Sequence, residues 1–384
     1  MNVMRAGGGP ARAAAGPVPP GRPAPDPAPS DAAAPAAALP AAAVPPRAPG
    51  RHRTAALTTG LLVAVLVLAL AVAASLAVGA KSVPPHTVLD TVFHHDADDP
   101  DQVIVTSLRL PRTVIGLLAG AALGLAGTVM QGLTRNPLAD PGLLGVNAGA
   151  SFAVVTAIGV FGVTSFTGYV WFGFLGAAAA ALLVYLVGSL GREGATPVKL
   201  ALAGAAVSAG LSSLTTAVLL GDTATFDRFR FWQVGSLAGR DLSVAYQAGP
   251  FVLLGVVCAL GCGRLLNALA LGDDTARGLG QNVTAARIFC GVCVVLLCGS
   301  ATALAGPIGF VGLTVPHAVR FFTGPDHRWI LPYAMLLAPA LLLVSDVVGR
   351  IAARPGEIQV GIVTALIGAP VLIVLVRRSR RAGL

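Results

Sequence analysis

The chain has 384 residues, of which 55% are hydrophobic and only 11% charged, with a formal net charge of +9. Soluble domains carry about 25% charged residues, so this set cannot cover a water-exposed surface and a soluble globular protein is excluded. The positive charge lies mainly on arginines at the ends of apolar runs, with Lys81 and Lys199 the two lysines; that pattern belongs to membrane topology, and nucleic-acid binding is set aside.

In chain order, residues 1–53 come first, holding 13 of the 28 prolines and six arginines. Such a segment buries no core and reads as a disordered cytoplasmic tail. The apolar run after it starts too late and extends too far for a signal peptide. Uncharged runs then follow at 54–80, 113–134, 141–191, 200–221, 242–263, 288–319, 329–345 and 358–376. A crossing needs about 20 residues, so 141–191 holds two spans with a turn near 164–168.

The run 288–319 is long for one span and tight for two, with Gly306-Pro307 at its middle. Read as a hairpin it gives ten spans with both termini on one side, and Arg plus Lys divide 18 inside to 8 outside. Read as one span it places the C-terminal Arg377, Arg378, Arg380 and Arg381 opposite the Arg-rich N-terminus, against the positive-inside bias. Ten spans with cytoplasmic ends are expected. The outer segments are then 81–112, 222–241 and 346–357, and the inner ones 135–141, 192–199, 264–287 and 320–328. Segment 222–241 carries Asp227-Arg228-Phe229-Arg230-Phe231-Trp232, suited to an interfacial helix. The Gly/Pro-interrupted openings at 136–147 and 306–317 head the third and eighth spans in opposite directions. They suggest an inverted repeat, and such paired interruptions point to a transport pathway.

Motifs for chemistry are absent. No G-x-x-x-x-G-K-[ST], H-E-x-x-H or G-x-S-x-G occurs, so neither a phosphate loop nor a hydrolytic centre is present and no catalytic residue is assigned. The spans hold no carboxylate near mid-membrane; Asp346, at the outer end of the ninth, is nearest, which argues against proton coupling. All five cysteines lie in apolar runs, and Cys290 with Cys293 forms a C-x-x-C without a second polar pair, so buried free thiols are favoured over a metal site. His94-His95-Asp96 reads as part of an exposed acidic loop, and His317 as structural.

The stretch 109–149 (RLPRTVIGLLAGAALGLAGTVMQGLTRNPLADPGLLGVNAG) resembles the FecCD-type permease family. So do Leu271-Gly272…Leu279-Gly280-Gln281-Asn282-Val283, the segment 306–317, and Arg350…Pro355-Gly356-Glu357-Ile358-Gln359-Val360-Gly361. The resemblance covers about 54–380; the long proline-rich tail is a departure from it. It implies an all-α, ten-span permease of type II ABC importer architecture. The cargo would be an iron–siderophore, with cobalamin or haem as alternatives. Its partners would be two ABC ATPase subunits inside, which use ATP, an extracytoplasmic binding protein (a lipoprotein) outside, and a second permease subunit as homodimer or paralogous heterodimer. The chain itself would be no enzyme and bind no cofactor or metal. A stand-alone ion-coupled transporter is the alternative from another class.

Three sets of site residues follow. Arg109, Arg112 and Arg350 fall on the outer side against the positive-inside trend, and the resemblance makes them docking points for carboxylates of the binding protein; the plainer reading is snorkelling to headgroups. Segment 264–287 is the candidate ATPase-coupling element. There Leu265, Leu266, Leu269 and Leu271 recur at helical spacing, Asp273 and Asp274 can cap a second short helix, and Gly278 and Gly280 permit a tight turn; Gly272 of the Leu271-Gly272 motif belongs to the same set. The resemblance places the fifth span along the pathway, where Ser208, Ser212, Ser213, Thr215 and Thr216 make a polar stripe; the same hydroxyls also serve helix packing.

Overall fold

The structure, a computed structural model, describes residues 51–381 apart from 80, 82, 94, 95, 97 and 191–195. The proline-rich tail up to residue 50, His94-His95 and most of the turn before the fifth span lie outside the described residues. Among the described residues all regular structure is helical, as expected. The elements are α1 (Arg51–Ala77), α2 (Pro85–Phe93), α3 (Pro100–Ile104), α4 (Leu110–Thr134), α5 (Val146–Gly159), α6 (Phe166–Gly188), α7 (Pro197–Gly221), α8 (Thr223–Gln233), α9 (Leu242–Gly261), α10 (Gly263–Ala270), α11 (Asp273–Gly278), α12 (Val283–Ala305), α13 (Val311–Thr323), α14 (His327–Ala352) and α15 (Val360–Arg381). A π-helical turn, Val105–Arg109, joins α3 to α4.

Helix starts follow local chemistry. Ser165, Asp222, Asn282 and Asp326 each turn a side-chain oxygen onto a first-turn backbone N–H of α6, α8, α12 and α14. Thr196 does the same for α7, with Pro197 occupying the first helical position, where a missing N–H costs nothing.

Among the described residues seven helical segments are long and apolar enough to cross a membrane. At the centre stands α4, which packs against α14, α12, α13 and α9. Its glycines at 116, 120 and 124 recur every fourth residue and so form one stripe, which lets the α14 backbone approach. A Cβ on Gly120 would overlap the Pro339 backbone, and one on Gly124 would press on Ala338 and the Ala334 carbonyl. By contrast, α1 leaves Leu62, Leu66 and Leu70 exposed along an apolar face fit for lipid.

The ten-span reading needs one physical refinement. Two of the expected spans, α5 and α13, have only 14 and 13 helical residues, about 20 Å each, too short for a hydrocarbon core of about 30 Å. Each follows a stretch of irregular chain. Residues 135–145 lead into α5, with only the tight turn Pro141–Leu144 between, and residues 306–310 lead into α13. The first stretch leaves the end of the bundle that carries α10, where Arg135 Nε donates to the Leu269 carbonyl at 2.6 Å. The second leaves the opposite end, where the Ser236 N–H donates to Ala305 O at 2.8 Å. Two broken helices entered from opposite ends have the geometry of an inverted repeat.

Candidate functional site

Irregular backbone inside a membrane bundle is tolerated where it is buried in protein or lines a water-filled cavity, which makes the two breaks the candidate site. At the second, Pro316 within α13 supplies no N–H, and the Gly312 carbonyl four residues earlier loses its usual donor. Gln131 of α4 takes that place, its Nε2 donating to Gly312 O at 3.4 Å and Leu313 O at 3.1 Å. Arg320 Nη1 in turn donates to Gln131 Oε1 at 2.8 Å. The approach is close enough that a Cβ on Gly127 would overlap the Gly312 carbonyl. Phe310, a non-glycine residue at φ 67°, makes the sharp entry to α13.

At the first break, Asp140 accepts from the Gly142 N–H at 2.7 Å and so holds the turn 141–144. Thr302 of α12 donates to Asn147 Oδ1 at 3.0 Å, which fixes the first turn of α5. The break also touches α7: a Cβ on Gly204 would overlap the Leu143 carbonyl, and Ser208 Oγ faces Gly145. Residues 135–138 are exposed, and burial resumes at Ala139. The turn that follows is held locally by Asp140 and tied to α12 through Asn147. Sequence reasoning missed Gln131 and Asn147, yet each carried a signal: Gln131 is the one amide or charged side chain in the run 113–134.

Along α7 the stripe divides. Ser212, Ser213 and Thr216 are exposed with Ala205, Ala206, Ala209 and Gly210, a face of small residues. Ser208 is half-buried beside the break, and Thr215 is buried, its hydroxyl donating to Leu211 O. Ser213 and Thr216 likewise bond the carbonyls one turn back.

At the α10 end, Leu266 and Leu269 are buried while Leu271 and Leu279 are exposed by 61% and 64%. Of the expected apolar set, Leu271 therefore faces away from the bundle. Asp273 and Asp274 occupy the first turn of α11, with Gly272 at φ 103° as the residue before it. They favour the positive helix end by charge; neither makes the side-chain cap. Gly280 turns the chain at φ 79° toward α12, while Gly278 is the last helical residue. Arg287 Nη2 pairs with Asp273 Oδ2 at 2.8 Å and Arg135 pairs with the same carboxylate. Burial alone would raise the Asp273 carboxyl, but the Arg135 hydrogen bond and the charges of Arg287, Arg135 and Arg277 outweigh it and hold it below the usual range.

The opposite end gathers the arginines. Arg109 and Arg350, each 5% exposed, both turn to the C-terminal end of α1. Arg109 Nη1 donates to Leu76 O at 2.6 Å and its Nη2 to Lys81 O. Arg350 Nη1 donates to Ser75 O and Val78 O, its Nη2 to Ser75 Oγ at 3.0 Å. Arg354 adds Gly79 O at 2.6 Å. A helix C-terminus leaves carbonyls without partners and carries partial negative charge, and three guanidinium groups meet both needs. Behind them Asp346, fully buried, bridges Arg112 at 2.7 Å and Arg350 at 2.9 Å, and Arg112 Nη1 reaches Glu357 at 2.8 Å. Of the three expected docking residues, Arg112 lies nearest the surface through its exposed partner Glu357.

A bundle of apolar helices with two short helices, each entered through irregular chain from opposite ends, defines a multi-pass membrane protein of transporter type. The chain belongs to the FecCD transport family, whose model matches residues 65–378. It is 48% identical over 309 residues to the ferric enterobactin transport system permease protein FepD of Escherichia coli, covering 80% of this chain and 92% of that one. It is 36% identical over 294 residues to the hemin transport system permease protein HmuU of Yersinia pestis, covering 76% and 88%. Among solved structures it is similar to a metal-chelate type ABC transporter in an inward-facing conformation, with a TM-score of 0.74, 31% identity, and coverage of 84% of this chain and 99% of that chain.

Proposed function

We propose that this chain is the permease subunit of an ABC importer and carries an iron–siderophore across the membrane without changing it chemically. The observation that carries the reading is the 48% identity to a ferric enterobactin permease over nine-tenths of that protein's length. A haem reading draws on the hemin permease relative at lower identity.

ATP hydrolysis belongs to separate ATPase subunits, and no cofactor or metal resides in this chain. The paired helices α10 and α11 engage those subunits: exposed Leu271 and Leu279 supply apolar knobs, and the Arg135–Asp273–Arg287 cluster ties the pair rigidly to α4 and α12. A push on α10 then reaches the two breaks through rigid elements. A second permease copy or paralogue faces the small-residue side of α7, and the chelate passes between. The binding protein docks at the arginine end, where a carboxylate exchanges with Glu357 on Arg112; Arg109 and Arg350 join as α1 yields their forks. On this orientation both termini are cytoplasmic.

Uptake of radio-iron as ferric enterobactin and of labelled haem, in a strain lacking the gene and in the strain restored with wild type or Arg112→Glu, tests the reading. Loss of siderophore uptake restored by wild type and not by Arg112→Glu is expected. Loss of haem uptake alone overturns the cargo, and full restoration by Arg112→Glu overturns the docking role.

A further inference from the structure

Helices α9 and α12 flank the α10–α11 segment, and each presents a cysteine at its base. Cys262 is the residue immediately before α10, and Cys290 lies two turns into α12. Their Sγ atoms are 3.7 Å apart and both residues are fully buried. Cys293, one turn further along α12, directs its thiol to the Gly255 carbonyl at 3.5 Å. The helices run close here, since a Cβ on Gly255 would sit 2.6 Å from Leu297. The second partner that the C-x-x-C lacked in sequence is thus supplied from α9. Among the described residues no group of three or more His, Cys, Asp or Glu is arranged for a metal ion, so the chemistry left is that of thiols in contact, Cys262 touching Cys290 and, through its thiol, Cys293 as well. A disulfide needs sulfurs about 2.0 Å apart, and rotation about the side-chain torsions closes a gap of this size.

We propose that Cys262 and Cys290 are a modification site at which a hydroperoxide forms a reversible disulfide that arrests transport. The effect on transport rests on the reading of α10 and α11 as the ATPase-contacting pair. In the first step one thiol sulfur attacks hydrogen peroxide, the O–O bond breaks, and a sulfenic acid and one water result. The second thiol sulfur then attacks the sulfenic sulfur, the S–O bond breaks, and the hydroxyl leaves as water with the second thiol's proton. Two thiols are oxidised and one peroxide is reduced to two waters. Peroxide is uncharged and close to water in size, which suits it to a buried pair. A reducing cytosol keeps the pair as thiols, and thiol exchange reverses the bond.

The consequence follows from position. The bond closes a loop that contains all of α10 and α11, and it clamps the ends of α9 and α12 at the neck of that loop. Movement of the pair against the bundle needs those two ends to shift relative to one another, and the crosslink forbids it.

The full chain in lipid nanodiscs, treated with hydrogen peroxide, thiol-blocked and mapped by mass spectrometry without reduction, is expected to yield a peptide linking Cys262 to Cys290 that dithiothreitol releases. Its absence, or a bond dominated by another cysteine pair, overturns the site. In cells with the intact importer, a peroxide pulse is expected to lower ferric enterobactin uptake in proportion to the crosslinked fraction, with recovery on reduction. Cys290→Ala is expected to hold its uptake through the same pulse. Equal inhibition of Cys290→Ala, or unchanged uptake despite the mapped bond, overturns the arrest. The mapping does not depend on ATPase contact, so failure of that contact and failure of the thiol chemistry are read separately.

Discussion

Asp346 is the most exacting test of the arginine end. Its carboxylate is fully buried and takes hydrogen bonds from Arg112 Nε at 2.9 and 3.0 Å, from Arg112 Nη2 at 2.7 Å, and an ion pair from Arg350 at 2.9 Å. In Asp346→Asn the shape is kept and the charge removed, so two guanidinium groups remain buried without their common counter-ion. Removing one partner of a buried pair costs about 3–5 kcal/mol; Asn still accepts one hydrogen bond, which puts this case near the lower end. About 3 kcal/mol is roughly two powers of ten in the folded-to-unfolded ratio. Glu357, with its side chain 40% exposed, holds the same Arg112 at 2.8 Å, but a pair open to water contributes about 0–1 kcal/mol. Unfolding of the full chain in mixed micelles by titration with a denaturing detergent, monitored by helical ellipticity, compares the two. Asp346→Asn is expected to be clearly the less stable, and protease is expected to cut it faster near 77–83 as Arg350 loosens from α1. Equal stability of Asp346→Asn and Glu357→Gln would refute the reasoning.

Other predictions concern the breaks and the α10–α11 pair. Gly127→Val drives a side chain into the Gly312 carbonyl; overpacking costs about 1–3 kcal/mol or more, and both micelle stability and uptake are expected to fall, whereas Gly210→Ala, with open space at that position, is expected to leave stability unchanged. Gln131→Leu strips the Gly312 carbonyl and Arg320 of their partner, a loss of about 1–3 kcal/mol measured in the same unfolding titration. Leu271→Asp with Leu279→Asp is expected to abolish co-purification with the ATPase subunits while leaving unfolding unchanged, because both residues are exposed. The Asp273 carboxyl lies below its ordinary value in the folded chain, so its contribution is fully present above the unfolded value near 3.9 and is lost as pH falls through the folded one. Protection of α10–α11 in hydrogen exchange, corrected for intrinsic rates, is therefore expected to hold from pH 8 to about 4 and to drop below that; in Asp273→Asn the drop is absent and protection is lower throughout.

The membrane class, the order of the helices and the need for two spans within 141–191 were legible because they rest on properties that add along the chain. Apolar length, charge at run ends, and the Gly306-Pro307 interruption do not depend on what lies across the bundle. The same holds for the α10–α11 pair, where Leu spacing, acidic first-turn residues and Gly280 are local signals. Family membership was legible as well, since motifs in order at natural spacing are a property of the string.

What a polar side chain does inside the bundle depends on residues tens to hundreds of positions away, and is settled by how the helices pack. Arg109 and Arg350 were arginines at run ends; their partners are the last carbonyls of α1, 33 and 275 residues distant for the bonds to Leu76 and Ser75. Asn147 opens α5 in the sequence, and its side-chain partner Thr302 lies 155 residues away on α12. Thr215 and Ser212 share one stripe by type, yet one is buried and the other exposed, since helix packing chooses a face that composition does not name. Cys262 and Cys290 lie 28 residues apart and meet because α9 and α12 pack at their bases. Which segments are apolar enough to enter the membrane, and in what order, is written in the residues themselves, through free energies that sum residue by residue. The structure decided which groups meet there, because in a medium without water each buried polar group takes whichever partner the fold brings within hydrogen-bond reach.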